Sequence, residues 1–169
     1  MKRVMILGGT GAGKSTLAKQ IHALCGLPIY HLDKLHWRAG WTAPPKDEWN
    51  ALIAEIAAQD AWIMDGNYSN TFHLRIPRAD TIIWLDLPRR ICFPRVLKRM
   101  LLNLGRVRED VAPGCPERLD IAFLRWAWTF RRAHAEKYRV ALNSVASHSS
   151  VVIIGSGRET EQFLHRLSH

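Results

Sequence analysis

The chain alternates between two hydrophobic periods. Short runs rich in apolar residues occur at Val4–Leu7, Pro28–Leu32, Ala61–Met64, Thr81–Leu85 and Val151–Ile154. Runs of this length bounded by turn residues predict buried strands. Between them the period lengthens. Leu17, Ile21 and Leu24, with Ala18 and Cys25 alongside, fall at i, i+4 and i+7. They predict a helix from Lys14 with one buried face, stopped by Gly26 and Pro28. Trp49, Leu52, Ile53, Ile56 and Ala57 predict a second helix, begun after Pro44-Pro45. Ile91, Val96, Leu97 and Leu101 predict a third, ended by Gly105, with Pro94 expected to kink it or shift its start. Residues 106–117 have no period and read as a loop. A long helix is expected from about Glu117 to about Leu142, and a last one carrying Phe163, Leu164 and Leu167.

Strands alternating with helices predict an α/β fold with parallel pairing and right-handed crossovers. Strands apolar on both sides imply helices on both faces of the sheet. The 169 residues, 47% hydrophobic and 23% charged, fit one globular domain over 1–169. Three cysteines, Cys25, Cys92 and Cys115, have neither the even number of a disulfide framework nor metal-site spacing, and predict a reduced, cytoplasmic setting. The apolar stretch after Met1 is too short for a signal peptide, and no window approaches a membrane span.

Charge is localised. The chain carries 24 Lys+Arg against 15 Asp+Glu, a formal net charge of +9. Residues 89–139 alone hold thirteen basic and five acidic side chains, a balance of +8. Such an excess calls for an anionic partner: nucleic acid, nucleotide phosphates or a membrane surface.

Residues 8–15 read Gly8-Gly9-Thr10-Gly11-Ala12-Gly13-Lys14-Ser15 and satisfy G-x-x-x-x-G-K-[ST] in full. Small residues let successive backbone N–H groups turn inward around a phosphate. Lys14 reaches the β- and γ-phosphates, and the Ser15 hydroxyl is a Mg²⁺ ligand. The following helix directs its positive dipole end at the same place. Gly9–Thr16 is therefore the expected nucleotide cradle: Gly9, Thr10, Gly11, Ala12, Gly13, Lys14, Ser15 and Thr16. ATP and Mg²⁺ are the expected cofactors.

With GGTGAGKST, HLDKLHW, WIMDGNYS, ADTIIWLDLP, RVLKR and GCPERLD together, the chain resembles the small P-loop kinases of the adenylate kinase and shikimate kinase type. It is more closely similar to bacterial proteins labelled DNA topology modulation protein, which are kinase-like by sequence. The resemblance implies a three-layer P-loop fold, a parallel sheet in the order 2-3-1-4-5, flanking helices, and a helical lid at about residues 99–125. An acceptor-binding segment is implied at about residues 33–60. It implies that Asp65, ending the third strand, holds a Mg²⁺-bound water, with Asp86 as its rival. It implies that Arg95 packs on the adenine or touches phosphate, as does Arg99. Arg106, Arg108, Arg118 and Arg125 are lid candidates, unranked. Ser156, between Gly155 and Gly157, matches the loop beside the base.

On the acceptor side the resemblance makes Asp33 the carboxylate that orients a hydroxyl and takes its proton. His31, His36, Trp37 and Trp41 surround it with rings that stack on a ligand or simply pack. Gly66, Asn67, Tyr68 and Arg75 follow the third strand and are expected to face the same crevice. Adenylate kinases place Pro-Arg after Asp-Gly-aromatic, and this chain has Tyr68-Ser69 instead. Arg75 or Arg78 then replaces the missing phosphate contact, or the acceptor carries no phosphate. Three functions stand from sequence: a monomeric kinase acting on ATP and a small-molecule acceptor, a nucleotide-dependent DNA-binding regulator, and an ATPase switch without an acceptor.

Overall fold

The structure is a computed structural model that describes residues 1–143 and 149–168. Five strands form one parallel sheet: β1 (Arg3–Gly8), β2 (Ile29–His31), β3 (Trp62–Asp65), β4 (Thr81–Leu85) and β5 (Ser150–Ile154). Their spatial order is β2-β3-β1-β4-β5, as expected. In β1, Val4 stands beside Ile63 of β3 and Thr81 of β4. The helices are α1 (Lys14–Cys25), α2 (Leu32–His36), α3 (Lys46–Ala58), α4 (Phe72–Arg75), α5 (Arg89–Leu102), α6 (Ile121–Asn143) and α7 (Gly157–Leu167).

The alternation of side chains along β1 builds both halves of the core. Val4 and Ile6 pack with Leu17, Ala18 and Ile21 of α1 and Phe163 of α7. Met5 and Leu7 point the other way, to Ile56 and Ala57 of α3 and Phe130, Tyr138 and Leu142 of α6. Three layers follow, with β1 buried from Val4 to Gly8 at the centre.

Several local expectations are corrected. The second strand is shorter than Pro28–Leu32. It ends at His31, and Leu32 to His36 turn into α2. In α1 the buried stripe is Leu17, Ala18 and Ile21, while Leu24 and Cys25 are exposed where the helix leaves the sheet. Pro94 does not shift the start of α5, which begins at Arg89 and runs through it. The buried stripe of α5 is Cys92, Val96 and Met100, and Leu101 is exposed. α6 starts at Ile121 rather than Glu117, because Glu117 is buried in the preceding connector. β5 is an edge strand with Ile153 56% exposed, so helices do not cover both of its faces.

The α5–α6 connector, residues 103–120, is irregular but anchored. Gly105 N donates to Glu117 O and Glu117 N to Arg106 O, closing it into a loop. Val111, Ala112 and Cys115 are buried against Trp37 and Trp41. Gly40 N donates to Gly114 O at 2.9 Å, and Trp41 Nε1 to Pro116 O at 3.2 Å. The connector therefore lies across the C-terminal ends of the strands, docked on the segment after α2. No helix of the described residues is long and apolar enough to cross a membrane.

Candidate functional site

The C-terminal edge of a parallel α/β sheet is where ligands bind. Here that edge opens into a cleft of about 980 Å³, floored by the loop between β1 and α1 and roofed by the connector. Thr10 to Thr16 line it. The loop needs its glycines. Gly11 has φ +76°, and a Cβ there would sit 2.4 Å from the Cys92 carbonyl oxygen. Gly13, with φ 97°, is the N-cap of α1. Lys14 Nζ reaches back to the carbonyls of Gly8 and Gly9, at 3.1 Å each. Gly9 itself does not line the cleft; its carbonyl serves Lys14.

Beside the loop, Ser15 Oγ lies 2.7 Å from Asp65 Oδ2 at the end of β3 and 3.0 Å from Asp110 Oδ2 on the connector. His31 Nδ1 donates to the same Asp65 oxygen at 2.9 Å. An accepting carboxylate fixes that nitrogen as the protonated one. Asp86, the rival of Asp65, is instead engaged by Arg131, with contacts of 2.7 and 3.0 Å. The donor set at Ser15 consists of hard oxygens, which suits Mg²⁺. That ion is usually held by one or two carboxylates together with waters and substrate phosphates. Among the described residues no group of three or more His, Cys, Asp or Glu forms an all-protein metal cage.

Arg95 and Arg99 share one face of α5 and both line the cleft. Of the four lid candidates, Arg108 and Arg118 line it, while Arg106 and Arg125, the latter on α6, do not. Arg108 grips Asp110 at 2.9 and 3.0 Å, and its Nε lies 2.9 Å from Glu117 Oε2. Arg99 Nε is 3.6 Å from the same oxygen and has no aligned hydrogen bond. Burial lowers the Arg99 pKa, and Arg108 adds to the effect. A buried guanidinium N–H without a good acceptor is a donor ready for an anion. Part of the basic excess of residues 89–139 is thus paired within the fold or turned into this cleft. Arg118 pairs with Asp120 at 3.7 Å, and Arg131 with Asp86.

The opposite wall carries Asp33, Trp37, Trp41, Gly66, Asn67 and Tyr68. Asp33 sits in the first turn of α2 rather than at a strand end. Its Oδ1 accepts from the Tyr68 hydroxyl at 2.8 Å. Burial raises the Tyr68 pKa, and the adjacent Asp33 charge raises it further, so the phenol stays protonated and donating. His36 does not line the cleft. It packs behind it against Trp37, Trp49 and Tyr68, and burial lowers its pKa.

Three expected ligand contacts turn out to hold the fold. Arg75 is fully buried and lies beneath the loop after β3. It donates to the carbonyls of Gly66 (3.2 Å), Asn67 and Tyr68 (3.0 Å) and to Thr71 Oγ1 (2.9 Å). Every one of its nitrogens is used, so it positions the wall and does not face the crevice. Arg78 donates to the carbonyls of Ala57 and Ala58 at the end of α3. Ser156 is the N-cap of α7, accepting from Glu159 N, and does not line the cleft. Gly157, Thr160, Glu161 and Leu164 line it there instead. Asn67 does line it, but its amide brackets Gly8, donating to the Gly8 carbonyl at 2.9 Å and accepting from the Gly8 N–H at 3.0 Å.

Sequence reasoning missed Asp110 and Glu117. The available signal was an acidic pair, Glu109-Asp110, set among arginines in an aperiodic stretch.

No protein-family model matches the chain, and no curated protein sequence matches it. Solved structures do match over nearly its whole length. Shikimate kinase from Acinetobacter baumannii in complex with shikimate is similar with a TM-score of 0.60 and 13% identity, covering 99% of this chain and 90% of that one. Deoxyadenosine kinase from M. mycoides with bound dATP gives 0.55 and 12%, covering 100% of both chains. A gluconokinase from Sinorhizobium meliloti 1021 gives 0.51 and 18%, covering 99% and 93%. The fold is therefore that of the small P-loop kinases. None of these three is described as a DNA-topology protein.

Proposed function

We propose that this chain is an ATP-dependent kinase that moves the γ-phosphoryl group to a hydroxyl or phosphate of a small-molecule acceptor such as a nucleoside or nucleotide. One observation carries the reading. A single cleft joins a complete phosphate loop to a wall where Asp33 is held by a tyrosine hydroxyl. Neighbours described as nucleoside, shikimate and gluconate kinases support it.

The residues divide the work. The backbone N–H groups of Gly11 to Ser15 hold phosphate oxygens, and Lys14 exchanges its two carbonyl contacts for the β- and γ-phosphates. Ser15 and Asp65 would hold Mg²⁺, which when bound neutralises phosphate charge. Arg95 packs on the nucleotide, while Arg99, Arg108 and Arg118 face charge developing on the transferred group. Trp37, Gly66, Asn67 and Tyr68 wall the acceptor. Asp33 orients the acceptor hydroxyl and takes its proton, with Tyr68 fixing its rotamer. The connector acts as a lid that excludes water.

The test is ADP release from ATP–Mg²⁺ across nucleosides, nucleotides, sugars and polyol acids. One acceptor class should raise release well above the rate without acceptor. Lys14→Ala should cut turnover by at least about 10²-fold, equal to about 2.7 kcal/mol of barrier. ADP release that no acceptor accelerates, or that survives Lys14→Ala, defeats the proposal.

A further inference from the structure

The Walker serine faces two carboxylates, one from the sheet and one from the connector. Asp65 comes from β3, and Asp110 reaches Ser15 Oγ from the far side at 3.0 Å. The serine has one proton and can donate it to only one of them. Two carboxylate oxygens and a hydroxyl oxygen therefore converge, with His31 and Arg108 donating to the two carboxylates as well. Hard carboxylate and hydroxyl oxygens gathered beside a phosphate loop are the donor set a divalent cation takes.

The place of Asp110 does not depend on Ser15. Lys19 Nζ pairs with Glu109 at 2.9 Å, Val111 is buried against the two tryptophans, and Gly114 is tied to Gly40. Those anchors bracket Asp110 and set it over the phosphate loop. Arg108 grips both of its oxygens. Arg108 offsets part of the carboxylate's charge, and a cation between Asp110 and a nucleotide's phosphates would offset the rest.

We infer that Asp110 is a lid-borne positioning residue for the divalent cation: it joins Ser15 and Asp65 around Mg²⁺, so that closure of the connector is coupled to the metal and not to the nucleotide alone. This rests on the kinase reading above. The competing use of the same contact is a latch, in which Asp110 occupies the phosphate position and must leave before nucleotide enters.

The two uses predict opposite binding. ATP affinity is measured by calorimetry in EDTA and in Mg²⁺, and Mn²⁺ binding to the ATP complex by electron paramagnetic resonance. In Asp110→Asn, ATP affinity in EDTA should stay within about twofold of wild type or tighten, since a negative charge is gone. The Mg²⁺-dependent gain in ATP affinity should fall about tenfold, the scale of losing one metal-orienting contact, with Mn²⁺ affinity falling in parallel. Asp110→Glu should recover part of the gain. Glu109→Gln removes the same charge one residue away and should leave the gain intact. Tighter Mg²⁺–ATP binding by Asp110→Asn than by wild type establishes the latch and overturns the inference. So does an unchanged Mg²⁺ gain, or an equal loss in Glu109→Gln. Wild-type protein that binds no ATP in either buffer removes the kinase reading and this inference with it.

Discussion

Among the described residues Arg75 is a cation with no anion beside it, held in place by three backbone carbonyl oxygens and one threonine hydroxyl. Burial pulls its pKa down to about 9, so it keeps its charge at neutral pH. Its donors fix the carbonyls of Gly66, Asn67 and Tyr68, and Tyr68 adopts φ 34°, a left-handed conformation that is strained for an aromatic residue. The buried guanidinium thus holds the turn that delivers the tyrosine hydroxyl to Asp33. Arg75→Met keeps the length and loses every donor, leaving buried carbonyls unpaired. The expected cost is about 3 kcal/mol or more, read by urea unfolding. Turnover should fall even where the variant is folded, because Tyr68 is released. A variant that unfolds like wild type would show that the carbonyls find other partners. Legibility at this scale depended on where partners lie. The phosphate loop was readable because its chemistry is eight consecutive residues. Arg75 was misread as a ligand contact because its partners are backbone atoms of a loop whose conformation no residue pattern specifies. Asp110 went unread because it meets Ser15 across 95 positions.

At the scale of elements, long periodic segments were legible and short ones were not. α3 has its predicted stripe, with Trp49, Ile53, Ile56 and Ala57 buried. α2 and α4 span five and four residues, too few for a helical period to appear. The connector was readable as aperiodic, but its docking was not, since the contact is between Val111, Ala112 and Cys115 and a pair of tryptophans some seventy positions earlier. That docking is testable. Val111 is 3% exposed, and Val111→Asp would bury an unpaired carboxylate there, at a cost of several kcal/mol. The connector should detach while the sheet stays folded. Limited proteolysis should cleave it at least about tenfold faster, tracking the open population, with little change in far-UV circular dichroism. Tryptophan emission should shift red as Trp37 and Trp41 enter water. Cleavage at the wild-type rate would mean that the hydrogen bonds of Gly40 and Trp41 hold the connector without its apolar cluster.

Across the whole molecule, strand alternation predicted the α/β class, while the strand order came from resemblance, because β1's neighbours are set by contacts distant in sequence. Asp80 shows how that sheet is tied at its N-terminal edge. Its carboxylate accepts from the backbone N–H groups of Lys2 and Arg3 at 2.9 and 2.8 Å and from Thr81 Oγ1 at 2.8 Å. Its backbone accepts from Ser150 N at the start of β5. One residue therefore joins the starts of β1, β4 and β5. Partial burial acts to raise its pKa, but the bonds from Arg3, Thr81 and Lys2 leave it below the ordinary carboxylate value. A folded pKa below the unfolded one gives stability that is complete above the unfolded value. It is lost as pH falls through the folded value. Asp80→Asn should therefore melt below wild type at neutral pH, and the gap should narrow from about pH 5 downward as the wild-type carboxylate protonates. Melting curves of the two proteins from neutral to acid pH provide the check. The net charge of +9 makes acid conditions unfavourable to both, so the informative quantity is the difference between them. A gap that stays constant down to pH values well below the usual carboxylate range would mean that the neutral form of Asp80 accepts these hydrogen bonds equally well, and that its charge contributes nothing to closing the sheet.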